Sequence, residues 1–140
     1  MMYYTYIIRC TDNSLYTGIT NDLNKRMEEH FRREKEGAKY TKSHQAQNVE
    51  VAWQTKEKSL ACKLEYRIKT LTKAEKESII KGEKLKKFFT GKIDCRRYKM
   101  VNLENILDKK YRKKWEITSF YLLNEKICGI ILEMIFNKRI

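Results

Sequence analysis

Residues 3–30 read Tyr3-Tyr4-Thr5-Tyr6-Ile7-Ile8-Arg9-Cys10-Thr11-Asp12-Asn13-Ser14-Leu15-Tyr16-Thr17-Gly18-Ile19-Thr20-Asn21-Asp22-Leu23-Asn24-Lys25-Arg26-Met27-Glu28-Glu29-His30, and this stretch decides the fold. The β-branched and aromatic run Tyr3 to Arg9 predicts a strand. Thr11 to Ser14 supplies turn chemistry, and Leu15 to Thr20 returns as a second strand, so the segment reads as a β-hairpin. Alternation puts Tyr4 and Tyr6 on one face and Thr5 and Ile7 on the other, with Tyr16 across from one of these sets. Thr20 and Asn21 offer an N-cap, Asp22 suits the first turn, and Leu23, Met27 and Phe31 recur at helical spacing. Gly37 is the expected stop of that helix. Arg26 and His30, at i and i+4, share one of its faces beside the apolar stripe.

Working outward, the polar stretch Lys39 to Asn48 predicts an exposed loop. Val49 to Gln54 alternates at period two and gives a third strand. Leu60, Leu64, Ile68 and Leu71 mark one face of a helix from about Glu57 to Leu71, and Glu65 lies about 100° from the centre of that face. Thr72-Lys73-Ala74-Glu75 is a capping-box pattern for a short helix that Gly82 can end. The expected fold is α/β (α+β): a small three-stranded antiparallel sheet, Tyr3 to Arg9 central, flanked by helices. Residues 1–82 form that unit, and residues 83–140 form a basic, mainly helical extension packed on it.

These residues resemble the GIY-YIG nuclease superfamily, and in particular its small stand-alone bacterial members. The first half-motif maps onto Tyr4-Thr5-Tyr6 and the second onto Tyr16-Thr17-Gly18. Asn21, Arg26 and His30 follow at the family's spacing, then the run Gly37-Ala38-Lys39-Tyr40-Thr41 and the helix carrying Glu65. The resemblance covers roughly residues 3 to 80. It implies a metal-dependent endonuclease that hydrolyses phosphodiester bonds in DNA, in repair, recombination or processing. Tyr6, Tyr16, Arg26, His30 and Glu65 would be catalytic. Glu65 would hold a single Mg²⁺ or Mn²⁺, Arg26 would grip the scissile phosphate, Tyr6 would be the general base, and Tyr16 and His30 would orient water and phosphate. The sequence departs from the family at Ile19, where the excision-repair members carry a lysine. The asparagine that those members place beyond the metal glutamate has no counterpart between Arg67 and Lys81.

Charge agrees with a polyanionic partner. The 140 residues hold 31 lysines and arginines against 18 acidic residues, a formal net charge of +13, which favours nucleic acid. Residues 81–140 hold 16 basic and 7 acidic residues, so this part is expected to raise affinity and not to build the site. The expected nucleic-acid contacts are Lys39, Tyr40, Lys42, Arg96, Arg97, Lys109, Lys110, Lys113 and Lys114. A helix is expected from Asn102 to about Trp115, and two short elements within Ile117 to Phe136. DNA is the expected partner, with branched or damaged forms and RNA left open, and the chain is expected to be a monomer or weak dimer. Cys10, Cys62, Cys95 and Cys128 are far apart and form no C-x-x-C pair, so neither a zinc ribbon nor a secreted disulfide framework is suggested, and reduced thiols are the expected state. No run approaches the ~18 apolar residues of a membrane span, and Arg9 and Asp12 interrupt any leader, so a cytoplasmic protein is expected. The alternative reading, from a different class, is a nucleic-acid-binding module without catalysis. Each motif residue alone is ordinary, a packing tyrosine or a solvated charge; the combination carries the enzyme reading.

Overall fold

The computed structural model of the chain describes residues 1–32 and 39–113. Gly37, Lys114, Trp115, Cys128 and the stretch Ile117 to Phe136 lie outside the described residues.

The hairpin forms as the sequence predicts. β1 (Tyr3–Cys10) and β2 (Leu15–Thr20) are antiparallel, and the turn uses Asn13 in the left-handed region at φ 68°, a conformation asparagine tolerates better than most residues. β3 (Ala46–Thr55) pairs with the other edge of β1. It is longer than the predicted third strand because two register shifts, between Ile7 and Ile8 and between Arg9 and Cys10, let its first half stay paired. A fourth strand, β4 (Lys99–Met100), extends the predicted three-stranded sheet to the order β2-β1-β3-β4. β4 is two residues long, too short for an alternation signal, and it is fixed by pairing with Trp53 and Gln54.

Helices cover both faces. α1 (Leu23–Phe31) is capped by Asp22, whose carboxylate accepts from the Lys25 amide, and not by Thr20 or Asn21; the Thr20 hydroxyl instead accepts from the Asp22 amide. α2 (Lys39–Ser43) replaces the expected exposed loop. α3 (Lys58–Lys69) and α4 (Lys73–Ile80) fall within two residues of prediction. The Thr72 and Glu75 capping box is formed in both directions. Gly82 at φ 118° ends α4 while the Glu83 amide bonds Ser78 O and its own amide bonds Ile79 O, the double closure that a glycine makes possible.

Strand alternation sorts the interior into two clusters. Tyr6, Ile8 and Cys10 pack with Leu23 and Met27 of α1, while Ile7 and Trp53 pack with Leu64, Ile68 and Ile79 of α3 and α4. Each cluster is completed from beyond Gly82. Phe89 of α5 (Leu85–Phe89), Ile93 and Tyr98 fill the second, and Leu107 and Tyr111 fill the first. The long helix expected from Asn102 is broken. α6 spans only Leu103–Ile106, and a 3₁₀ turn follows over Lys109–Tyr111. The Asn24 side chain donates to Ile106 O and accepts from the Asp108 amide, both at 2.9 Å. It thereby satisfies the backbone groups that a continuing helix would have used, and Leu107 and Tyr111 still reach the core.

Phe89 is 1% exposed, so Phe89→Ala should lower the unfolding free energy by about 3–5 kcal/mol through lost burial and a cavity. Tyr66 is 63% exposed, and Tyr66→Ala should change it by less than about 0.5 kcal/mol. Urea denaturation of both variants checks this; a Phe89 effect as small as that of Tyr66 would mean the residues after Gly82 are not part of the core.

Candidate active site

The site is built around one phenol. Tyr6 points to the α1 face of β1 and lies opposite Gly18 on β2. A Cβ at position 18 would sit 2.5 Å from the Tyr6 hydroxyl oxygen, 2.7 Å from Cζ and 3.1 Å from Tyr16 Cε1, so the phenol leans across the strand where the missing side chain leaves room. Tyr16, two residues before, faces the same way and reaches within 6.4 Å of the Tyr6 ring centre.

α1 supplies the other partners. Leu23 and Met27 anchor its apolar stripe, which fixes the rotation of the helix and turns the i and i+4 pair Arg26 and His30 towards the tyrosines. The Tyr6 hydroxyl is 2.7 Å from His30 Nε2, and His30 Nδ1 is 2.6 Å from the Thr41 hydroxyl on α2. All three residues have 0 or near 0% exposure. Arg26 hydrogen-bonds Tyr6 and forms an ion pair with Glu29 at 2.6 Å. Tyr16 is edge-on to His30 at 5.3 Å, and its outer face carries Tyr40, stacked at 5.6 Å and 20°, with His44 stacked on Tyr40 in turn.

The charges follow from this packing. Burial pushes the Tyr6 phenol far above its usual value; the hydrogen bond from Arg26 opposes that, and the nearby Tyr16 and the Glu65 carboxylate add to it. His30 is pushed down to about 4, first by burial and then by the Arg26 charge, so the imidazole is neutral near pH 7. Burial works against the charge on Arg26, but its bonds to Glu29 and Tyr6 outweigh it and hold the guanidinium protonated.

Glu65 comes from α3, which packs on β1 and β2 from the opposite layer. Its carboxylate is largely covered, pairs with Lys69 at 2.7 Å, and lies close enough for its charge to act on Tyr6. Among the described residues there is no group of three or more His, Cys, Asp or Glu side chains that could form a metal cage. A divalent ion here would rest on Glu65 with waters and phosphate oxygens, the coordination that Mg²⁺ commonly accepts.

Beside Arg26 a cleft of roughly 410 Å³ opens, with Lys25, Lys58, Asn21 and Ile19 in its wall. Ile19, the position that departs from the excision-repair pattern, therefore borders this cleft and not the Tyr6 hydroxyl.

The expected phosphate contacts are not all on one surface. Lys39 is exposed and Tyr40 is stacked on Tyr16; Lys42 lies on α2. Arg96 and Arg97 sit in the second layer, paired with Asp94 and Glu57. Lys109 and Lys110 lie near the start of α1, next to Tyr111, and Lys113 approaches Glu50 at 3.9 Å. Thr41 is the site residue that sequence reasoning placed elsewhere, within an exposed loop. Its burial follows from a partner on α1, and no periodicity in a five-residue segment carries that.

With this geometry in place the class of the protein follows. The family model for the GIY-YIG catalytic domain matches residues 2–78, and the chain belongs to that family, a nuclease superfamily with nucleic acid as its class of substrate. Its relatives are small bacterial UPF0213 proteins. It is 48% identical over 80 residues to one from Fusobacterium nucleatum, covering 57% of this chain and 78% of the relative. One from Staphylococcus aureus is 43% identical over 79 residues, covering 56% of this chain and 94% of the relative. The solution NMR structure of a UPF0213 protein from Bacillus halodurans has 33% sequence identity and a TM-score of 0.36, covering 58% of this chain and 84% of that one. Among the described residues no helix is long and apolar enough to cross a membrane.

Gly18→Ala should disable the site, because the new methyl meets the Tyr6 ring and hydroxyl. Overpacking of this kind costs about 1–3 kcal/mol, and the Tyr6 to His30 hydrogen bond should be lost; thermal unfolding and the NMR signals of the His30 ring check both. An unshifted melting temperature with unchanged ring signals would contradict the close approach. Folding should also weaken in acid. His30 binds a proton more readily unfolded, near 6.5, than folded, near 4. The unfolded state thus gains protons first as pH falls from about 6.5, stability drops across that window, and the loss levels off below about 4 at roughly 3 kcal/mol. Denaturation at stepped pH, compared with His30→Gln, checks the sign: the variant should lose this slope.

Proposed function

We propose that the protein is a metal-dependent endonuclease that hydrolyses phosphodiester bonds in DNA through Tyr6, Tyr16, Arg26, His30 and Glu65. The observation that carries the reading is the buried, hydrogen-bonded Tyr6 and His30 pair with the Arg26 guanidinium against the same phenol. A structural tyrosine does not need a neutral imidazole and a fixed cation at its hydroxyl.

The chemistry follows from those positions. The attacking water must lose a proton as it bonds to phosphorus. Burial disfavours a standing Tyr6 phenolate, so Tyr6 acts as a relay: its oxygen takes the water's proton as its own proton passes to His30 Nε2, which is unprotonated in the neutral ring. Tyr16, edge-on to His30, orients the water. Arg26 faces the charge that grows on the phosphoryl oxygens, in a site where water is scarce and such a charge is worth more than in bulk. Glu65 would hold Mg²⁺ or Mn²⁺, which when bound would supply Lewis acidity to the phosphate. Lys25 and Lys58 in the cleft, Lys39, Tyr40 and Lys42 on α2, and the lysines near Tyr111 would hold the flanking backbone. A role in DNA repair, recombination or processing fits this activity, in the cytoplasm.

Purified protein with supercoiled plasmid and Mg²⁺ or Mn²⁺ should produce nicks that chelation stops. Glu65→Gln and Tyr6→Phe should each lower the single-turnover rate at least about 10²-fold, with DNA binding retained. Binding without metal-dependent cleavage of duplex, branched or single-stranded substrates would favour the non-catalytic binding module instead.

A further inference from the structure

The relay above does not use the buried hydroxyl of Thr41. This residue is 0% exposed, in a run whose composition belongs at a surface. A buried hydroxyl is costly without a hydrogen bond, and here its partner is the ring nitrogen of His30 that faces away from Tyr6.

The proton positions follow from counting donors. Arg26 can only donate, so with Arg26 at the Tyr6 oxygen the arrangement favours the phenol giving its own O–H to His30 Nε2, 2.7 Å away. A neutral imidazole carries one N–H. With Nε2 bare that proton is on Nδ1, where Thr41 Oγ1 accepts it at 2.6 Å. Without the Thr41 oxygen, an Nδ1 proton would be buried with no acceptor. The opposite tautomer would then be favoured, with Nε2–H aimed at Tyr6 and no acceptor left for the phenol proton.

We propose that Thr41 is a positioning residue of the active site, whose hydroxyl holds His30 in the Nδ1–H tautomer so that Nε2 stays open to the Tyr6 proton. This rests on the reading of Tyr6 and His30 as the proton-transfer pair. A second contact of the same short helix supports it: Tyr40, next to Thr41, stacks on Tyr16. One turn of α2 thus braces both catalytic aromatic partners from outside the hairpin and α1. At metal sites, outer hydrogen-bond partners that fix a histidine's tautomer change affinity or activity about 10–100-fold when removed, and an effect on that scale is expected here.

The experiment uses the full chain with ¹⁵N-labelled histidine and the variants Thr41→Val, which keeps the shape and removes the hydroxyl, and Thr41→Ser, which restores it. Wild type should show His30 protonated on Nδ1. Thr41→Val, with an unchanged amide spectrum elsewhere, should move the ring towards the Nε2–H form. It should also lower the single-turnover cleavage rate about 10–100-fold with the apparent DNA affinity unchanged, and Thr41→Ser should recover both readouts. If Thr41→Val leaves the tautomer unmoved, or moves it without slowing cleavage, the proposal is overturned. The tautomer is read without substrate, so a wild type that cuts nothing refutes the nuclease reading and the catalytic half of this proposal. In that case Thr41 is shown as the tautomer-setting residue only if the Val variant shifts the ring. Should Thr41→Val fail to fold, Thr41→Cys, a weaker acceptor of similar size, must show the same shift in part, and an unchanged ring in it would overturn the proposal.

Discussion

The approach of the Tyr6 hydroxyl to the backbone of Gly18 is the constraint on which the site depends. The phenol must cross an edge strand to meet α1, and a Cβ at position 18 would occupy the space of its oxygen. The antiparallel register sets Gly18 opposite Tyr6 and Tyr16 opposite Ile8. A slip of one residue would turn Tyr6 to the other face. The apolar phase of α1 then brings His30 and Arg26 to the same oxygen. Three elements converge on one atom, and each is held there by packing that does not involve the chemistry.

The electrostatics of the site come from its dryness. His30 is neutral because it is buried beside a permanent cation, and Tyr6 is protonated because it is buried near a carboxylate. A second buried network holds the far end of β1: Arg9 reaches Glu50 on β3 at 2.6 Å and bonds Glu77 of α4 through two nitrogens at 2.7 Å. Glu50 is 3% exposed in its side chain, so the charge is tolerable only while cations face it, Arg9 at 2.6 Å and Lys113 at 3.9 Å. The strand that carries Tyr6 is therefore fixed at its middle, by the Tyr6 hydrogen bond to α1, and near its far end, by this ion network.

The residues after Gly82 add more than charge. Phe89, Ile93 and Tyr98 close the α3 layer, the Tyr98 hydroxyl donates to Leu60 O at 2.7 Å, and Leu107 and Tyr111 close the α1 layer. The family match ends at residue 78, yet both clusters continue past it. The basic side chains of this part are carried on a segment with its own packing role, which spreads them over two layers of the molecule.

What the sequence by itself determined is what short-range physics controls. Alternation in Tyr3 to Arg9, turn residues at Thr11 to Ser14, the i, i+4 spacing of Arg26 and His30, the Thr72 capping box and the Gly82 stop all involve residues a few positions apart, and each is realised. Glu65 borders the buried face of its helix, as the same local periodicity dictates. Tertiary structure alone decided the rest. Thr41 is buried because His30 needs a partner 11 residues away. β4 exists because Ala52 O accepts the Val101 amide. The predicted helix after Asn102 stops early because Asn24, more than 80 residues earlier, takes over its backbone hydrogen bonds. Contacts at such separations leave no periodic trace in the chain, since the energy that fixes them belongs to the assembled core and not to the segment.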